Sequence, residues 1–171
     1  MADQATLDKI RLLHPKLRAE TEHIYLAQIV PALSGRAFCR FTFTLRTFEE
    51  QAALYAQGRT KLYDANGKKL GIVTKAKAGQ SLHNYGVALD IALIADGKMS
   101  YEDTVDFDKD GKADWMEVIN IFKNNGWEWG GDWKSFKDRP HVQKTFGHTW
   151  QQFYQKYQSK DFIPGTTYVN I

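Results

Sequence analysis

The chain has 171 residues, 43% of them apolar and 25% charged, with a formal net charge of +3. That length and balance suit one globular domain and exclude a disordered or fibrous chain. The charge is small and evenly spread, without a basic run or an aromatic-plus-basic ladder, which argues against a nucleic-acid binder. Cys39 is the single cysteine, so no intramolecular disulfide forms, and it reads as a small buried hydrophobe in a strand. No apolar run reaches the roughly 20 residues of a membrane span, so no membrane insertion is expected. The opening residues, Met1-Ala-Asp-Gln-Ala-Thr6, lack the basic and apolar regions of a secretion signal, which predicts synthesis in the cytoplasm.

In chain order, Thr6 can cap a short helix carrying Leu7, Ile10 and Leu13. Pro15 suits the first residue of a second helix, which runs to Val30 and is ended by Pro31. His14 and His23 lie among charged residues there and are expected to face solvent. Phe38–Leu45 alternates Cys39, Phe41, Phe43 and Leu45 against Phe38, Arg40, Thr42 and Thr44, which is the period of a strand. Arg46 follows at its end, and Thr47-Phe-Glu-Glu50 has capping-box spacing, so a helix starts there and Gly58 stops it. Residues 59–79 are polar, with a turn at Asn66-Gly67 and a short strand at Leu70–Thr74.

The next stretch carries the chemistry. From Gly86 the chain alternates Val87, Leu89, Ile91 and Leu93 against Ala88, Asp90 and Ala92. This predicts a strand with one bulky buried face and one face of small side chains, leaving open space above Asp90. His83 lies just before the Gly86 turn and can fold back over that space, and His141 arrives in Lys137-Asp-Arg-Pro-His-Val142. Two imidazoles and a carboxylate make a three-ligand zinc set with a fourth position left for water. A pairing of Asp90 with His83 or Arg46 that only holds the core together is the alternative, because a lone buried acid is costly. Pro140 disfavours a helix through Arg139, so His141 should begin an extended segment with Asp138 in the turn before it. A carboxylate beside the open position of a metal can accept a proton from water. Arg46 can stabilise the oxyanion that forms when a carbonyl is attacked. Together these describe amide hydrolysis.

After Asp90, Ala95-Asp-Gly-Lys98 reads as a hairpin turn. A helix is predicted from Trp115 to Asn124 with Asn125-Gly126 as its stop, and a last helix from Trp150 to Tyr157, before an extended tail at Thr167–Ile171. Trp127, Trp129 and Trp133 suit carbohydrate contact or core packing, and packing is the safer reading for most of them. Asp106-Phe-Asp-Lys-Asp-Gly-Lys-Ala-Asp-Trp-Met-Glu117 matches the twelve-residue calcium loop. Asp106, Asp108, Asp110, Asp114 and Glu117 fall at the acidic positions, Gly111 at the sharp turn, and Lys112 where a backbone carbonyl is donated. Only the exit helix is evident, so the loop reads as an isolated structural calcium site that orders the catalytic half. A hydrated acidic turn capping the helix is the alternative.

Ser81-x-His83-x-x-Gly86-x-Ala88-x-Asp90 resembles the signature of the zinc peptidases that cleave peptidoglycan. That family groups D-Ala-D-Ala carboxypeptidases with L-alanyl-D-glutamate endopeptidases, phage endolysins among them. Arg46-Thr-Phe-Glu-Glu-Gln-Ala-Ala-Leu-Tyr-Ala-Gln-Gly-Arg59 resembles its catalytic-arginine segment, and Trp129–His141 its segment with the base and last ligand. The resemblance spans residues 36–145, in the same order. It implies that His83, Asp90 and His141 bind zinc, that Asp138 is the general base, that Arg46 steadies the transition state and that Ser81 touches substrate. It implies a small α+β domain, a central antiparallel sheet holding the zinc site with helices packed on it. Residues 1–171 would form one peptidase domain, with N-terminal helices at 6–31 and a C-terminal helix and tail at 148–171. Carboxypeptidase branches commonly carry Glu as the base, so Asp138 with Trp129-Gly-Gly-Asp-Trp133 is more similar to the endopeptidase branch. The expectation is a monomer that hydrolyses the peptidoglycan stem peptide at L-Ala-D-Glu, reaching the wall after release or export. Alternatives are removal of terminal D-alanine, or a zinc- and calcium-bound wall-binding module without activity. Binding alone would need neither Asp138 nor Arg46.

Overall fold

A computed structural model describes residues 2–34 and 36–171. Its central strand is β2 (Ala88–Ala95), in which every residue is apolar except Asp90. Such a run is stable only where both faces are covered. β1 (Ala37–Phe43) pairs along one edge of β2, while β5 (His141–Gln143) and β3 (Lys98–Ser100) share the other. β5 lies against Ala88–Asp90 and β3 against Leu93–Ala95, and β4 (Glu128–Trp129) extends the sheet beyond β5. All of these pairings are antiparallel. Asp96 and Gly97 both take positive φ, 49° and 75°, between β2 and β3, as a two-residue hairpin turn requires.

Helices cover the sheet. The first is α1 (Gln4–Ile10); then come α2 (Pro15–His23), a π-helical turn at Ile24–Ile29 and a last short turn, α3 (Val30–Ala32). α4 (Phe48–Ala56) follows β1 with the expected capping box between Thr47 and Glu50. α5 (Asp114–Asn124) and α6 (Trp150–Gln158) complete the set. Leu13, Leu17, Ile24 and Tyr25 are buried with Phe41, Leu89, Ile91 and Phe122 in one apolar core. Tyr25 and Phe122 meet the Phe41 ring at 5.5 and 5.9 Å between centroids. Cys39 and Trp127 are buried in this core as packing residues. No helix among the described residues is long and apolar enough to cross a membrane.

Several details depart from the sequence reading. The cap of α1 is Asp3, whose carboxylate accepts from the Thr6 backbone N–H and which also binds Arg40; Thr6 is buried inside the helix. His14 is buried, not solvent-facing: its Nε2–H donates to the Val169 carbonyl, and its Nδ1 accepts from Lys16 N–H as the cap of α2. The helix continues past Pro31 to Ala32, because the π-helical turn shifts the pairing so that Val30 N–H reaches Tyr25 O. Phe43 leaves the buried face of β1 and is 52% exposed, while Thr44 is buried. A bulge between Phe41 and Phe43 causes this, since the extra residue reverses the alternation. Ala88 and Ala92 are buried too, so the small face of β2 is open only near Asp90. Leu70–Thr74 forms no strand: Leu70 N–H donates to Leu62 O, but no ladder continues from it, and Ile72 and Val73 stay exposed.

Candidate metal centre

Strand register builds the site. In β2 and β5 Asp90 and His141 are Cα partners, and directly opposed residues of an antiparallel pair point to the same face. The bulge in β1 sets Phe43 opposite Asp90 on the other side. His83 comes from the one-turn 3-10 helix Leu82–Tyr85, which Gly86 ends with φ 69°. A side chain at Gly86 would meet the His14 backbone nitrogen at 2.7 Å, so this turn can lie against α2 only with glycine. His83 Nε2 and His141 Nδ1 each lie 3.2 Å from Asp90 Oδ1. Ligand atoms of all three residues fall within 4.8 Å of one another.

The hydrogen bonds behind the histidines show what belongs between them. Nδ1 of His83 is 2.8 Å from the Thr44 carbonyl, which can only accept, so Nδ1 carries the proton. Nε2 of His141 is 3.0 Å from Gln143 Oε1, and the Gln143 amide is held that way round by its own bond to Glu128. In the neutral rings both nitrogens that face Asp90 therefore present lone pairs to a carboxylate that also has only lone pairs. A cation resolves that conflict. Burial works against the Asp90 charge, yet the two imidazoles hold its carboxyl far below the ordinary carboxylate range. Burial likewise works against a proton on His141, but Asp90 and Gln143 outweigh it and raise the imidazole. Both shifts express a cluster that stabilises positive charge. Two imidazoles and one carboxylate with an open side form the donor set of a tetrahedral transition metal with a position to spare.

The open side is a cleft of about 490 Å³ lined by Arg46, Ser81, Trp133 and Asp138 as well as His83, Asp90 and His141. Asp138 stands at its rim in the turn before β5, where His141 N–H donates to the Asp138 carbonyl. Desolvation pushes its carboxyl above the usual range, and the imidazoles and Arg46 only partly offset this. Arg46 is fixed at both ends. Its backbone N–H donates to His83 O and its carbonyl accepts from Asn84, while Nη1 donates to Gln51 Oε1 at 2.9 Å. Ser81 lines the cleft just before the His83 turn, and its hydroxyl makes no cap bond there.

All six residues read from the sequence for the catalytic site thus meet in one cleft. Sequence reasoning missed Thr44, Gln51, Asn84 and Gln143, which hold them there. Gln51 is fully buried in α4 and donates to the Ala76 carbonyl, so it ties Arg46 to the 74–76 segment. An amide in an otherwise small and apolar helix run, Gln51-Ala-Ala-Leu, was the available signal.

The acidic loop lies apart from the cleft. Asp106, Asp108 and Asp114 converge, with ligand atoms within 4.8 Å. Asp110 and Glu117 turn instead to the Lys112 ammonium, 3.1 Å from each. An irregular stretch precedes the loop, so it has an exit helix alone.

Residues 74–144 match the family model described as D-alanyl-D-alanine carboxypeptidase. The chain is 50% identical over 99 residues to the peptidoglycan L-alanyl-D-glutamate endopeptidase CwlK of Bacillus subtilis (strain 168), covering 57% of this chain and 55% of that protein. It is 33% identical over 103 residues to the L-alanyl-D-glutamate peptidase of Listeria phage A118, covering 60% of this chain and 29% of that protein. The chain thus spans about half the length of the first of these relatives and less of the second. The crystal structure of the Serratia marcescens L-Ala D-Glu endopeptidase ChiX shares the fold, with TM-score 0.53 and 23% identity over 83% of this chain and 87% of that one. The stretch that matches the D-alanyl-D-alanine carboxypeptidase model, residues 74–144, is the one that brings His83, Asp90, Asp138 and His141 into one cleft.

Proposed function

We propose that the chain hydrolyses the stem peptide of peptidoglycan at the L-Ala-D-Glu bond, with zinc held by His83, Asp90 and His141. The observation that carries this is the set of imidazole lone pairs turned toward Asp90 by Thr44 and Gln143, opening onto a cleft that holds both an acid–base group and a fixed cation. Bound there, zinc would supply a Lewis acid that polarises the scissile carbonyl and makes water nucleophilic at neutral pH. Asp138, as carboxylate, takes the proton from the attacking water and returns it to the leaving amine as the C–N bond breaks. Arg46, locked by Gln51, faces the charge that develops on the carbonyl oxygen. Ser81, on the cleft wall, is placed to touch the substrate.

The named activities of the two curated relatives favour the endopeptidase over release of terminal D-alanine. Asp138 and Arg46 favour an enzyme over a binding module. In this reading the chain acts alone, as a monomer, on the wall after release or export. It carries calcium as a second cation, outside the reaction, in the loop Asp106–Glu117. Metal analysis and peptide assays test the assignment together. One zinc per chain is expected, lost in His83→Ala. Asp138→Ala should keep the zinc and lose about 10²–10⁴-fold in turnover of a stem peptide, the range of a missing general base. Equal turnover in Asp138→Ala and wild type would remove Asp138 from the mechanism.

A further inference from the structure

We infer that Glu128 forms a cation subsite beside His141, one that holds the free side-chain ammonium of the diamino acid following D-glutamate in a stem peptide. The inference rests on the proposed cleavage at L-Ala-D-Glu and names what the leaving half of that substrate meets.

Strand register carries the face of the site out to the sheet edge. Gln143 lies two residues past His141 in β5, so it shares the face of His141 and Asp90. Glu128 in β4 is the Cα partner of Gln143 and joins that face. Here the cleft adjoins a second cavity of about 460 Å³, the two sharing Leu82, Gln143 and Trp150 as wall residues. Among the described residues, Glu128 is the only carboxylate lining this second cavity. Its side chain is exposed, and its Oε2 accepts from Gln143 Nε2 at 2.8 Å. No Lys, Arg or His among the described residues makes an ion pair with it. The cavity's imidazole, His148, packs on Phe153 at 5.4 Å between ring centroids with its Nδ1 buried, so it is part of the wall. An uncompensated carboxylate in an otherwise neutral cavity favours a cationic group that can donate hydrogen bonds to it.

The direction of the substrate follows from the path of the proton. The strand order β1-β2-β5-β4 sets Arg46, past the end of β1, on one flank and Glu128 on the other. Asp138 sits toward the Glu128 flank, because its N–H donates to the carbonyl of Gly130, the residue after β4. Since Asp138 gives its proton to the leaving amine, the half that begins at D-glutamate departs on that side. One glutamine side chain, bonded to His141 at 3.0 Å and to Glu128 at 2.8 Å, separates the imidazole from the carboxylate. An extended peptide advances roughly 3.5 Å per residue, so the side chain after D-glutamate is within reach of Glu128. That residue is the diamino acid through which stems are cross-linked, and cross-linking acylates its amine. The subsite therefore favours stems that are not yet cross-linked there.

Peptides that begin at D-glutamate test this, because they contain no L-Ala-D-Glu bond and report without turnover. γ-D-Glutamyl-L-lysine and γ-D-glutamyl-diaminopimelate are titrated into the zinc-loaded chain, each with its side-chain amine free or acetylated, and Kd is read by NMR. The free amine should bind a few-fold tighter than the acetylated form, the scale of a solvent-exposed charge pair. Glu128→Gln keeps an acceptor for Gln143 but loses the charge, and should bring that ratio close to one. Preference for the free amine in either peptide supports the subsite, and the tighter of the two names the diamino acid it reads. Equal binding of free and acetylated forms by wild type, or no binding of either, would overturn it. So would an undiminished ratio in Glu128→Gln, since a Glu128 that acts only through Gln143 on His141 weakens both forms alike. In wild type the kcat/KM ratio for stem peptides with free and blocked amines should follow the binding ratio. A chain that prefers the free amine but cleaves neither stem peptide would refute the peptidase reading and leave the subsite standing.

Discussion

Thr44 and Gln143 decide which nitrogen each site histidine turns toward Asp90. Neither touches the cleft through a group that could do chemistry on a peptide, yet both set the tautomer that makes a metal ligand of an imidazole. Replacing Gln143 with Leu leaves the His141 ring without its acceptor. Metal affinity should fall by about 10–100-fold, read by competition with a chromophoric chelator, with the fold intact. His14 tests a different balance. Its neutral ring is satisfied on both nitrogens, and desolvation holds its imidazole below the ordinary value of 6.5. The folded chain therefore binds this proton less readily than the unfolded chain. The stability contributed by the neutral ring is complete above about pH 6.5 and is lost as pH falls below it. His14→Asn can still cap α2 but does not titrate. The fall in melting temperature from about pH 7 to 5 should therefore be shallower in this variant than in wild type. Comparing the two chains cancels any effect of metal release, which is common to both.

The elements explain why some of this was legible in the sequence and some was not. The Asp90 strand, the capping box at Thr47 and the turn before His141 each follow from local chemistry, and the structure has them where spacing places them. Phe43 illustrates the other case. Its alternation is strand-like, but a bulge is a matter of pairing between two strands, and nothing local to Phe41–Phe43 announces it. His14 sits among Pro15, Lys16 and Arg18, which reads as surface; its burial comes from Val169, 155 residues away. Gly130 shows how closely one element rests on another. A methyl group there would run into the Asp138 carbonyl, while the Gly130 carbonyl accepts from Asp138 N–H. Gly130→Ala should therefore push the Asp138 turn away from His83, Asp90 and His141. Turnover should drop by about 10²-fold, as misplacement by about 1 Å produces, with zinc content unchanged; wild-type turnover in that variant would contradict the close approach.

At the scale of the whole molecule, one antiparallel sheet gathers the proposed site residues from sequence-distant segments. β2 brings Asp90, β5 brings His141 by register, the turn leading into β2 brings His83, and the end of β1 brings Arg46. The cleft sets these polar groups beside apolar walls from Phe43, Leu54, Val73 and Trp150. Such a scaffold suits hydrolysis of an amide, and the choice of bond distinguishes the leading reading from its rivals. Purified peptidoglycan digested with the zinc-loaded chain, and in parallel with Asp138→Ala, decides it when the products are identified by mass spectrometry. The account predicts stem fragments that begin at D-glutamate from wild type and none from the variant. Free D-alanine from wild type, or no product from a folded and zinc-loaded chain, would contradict it.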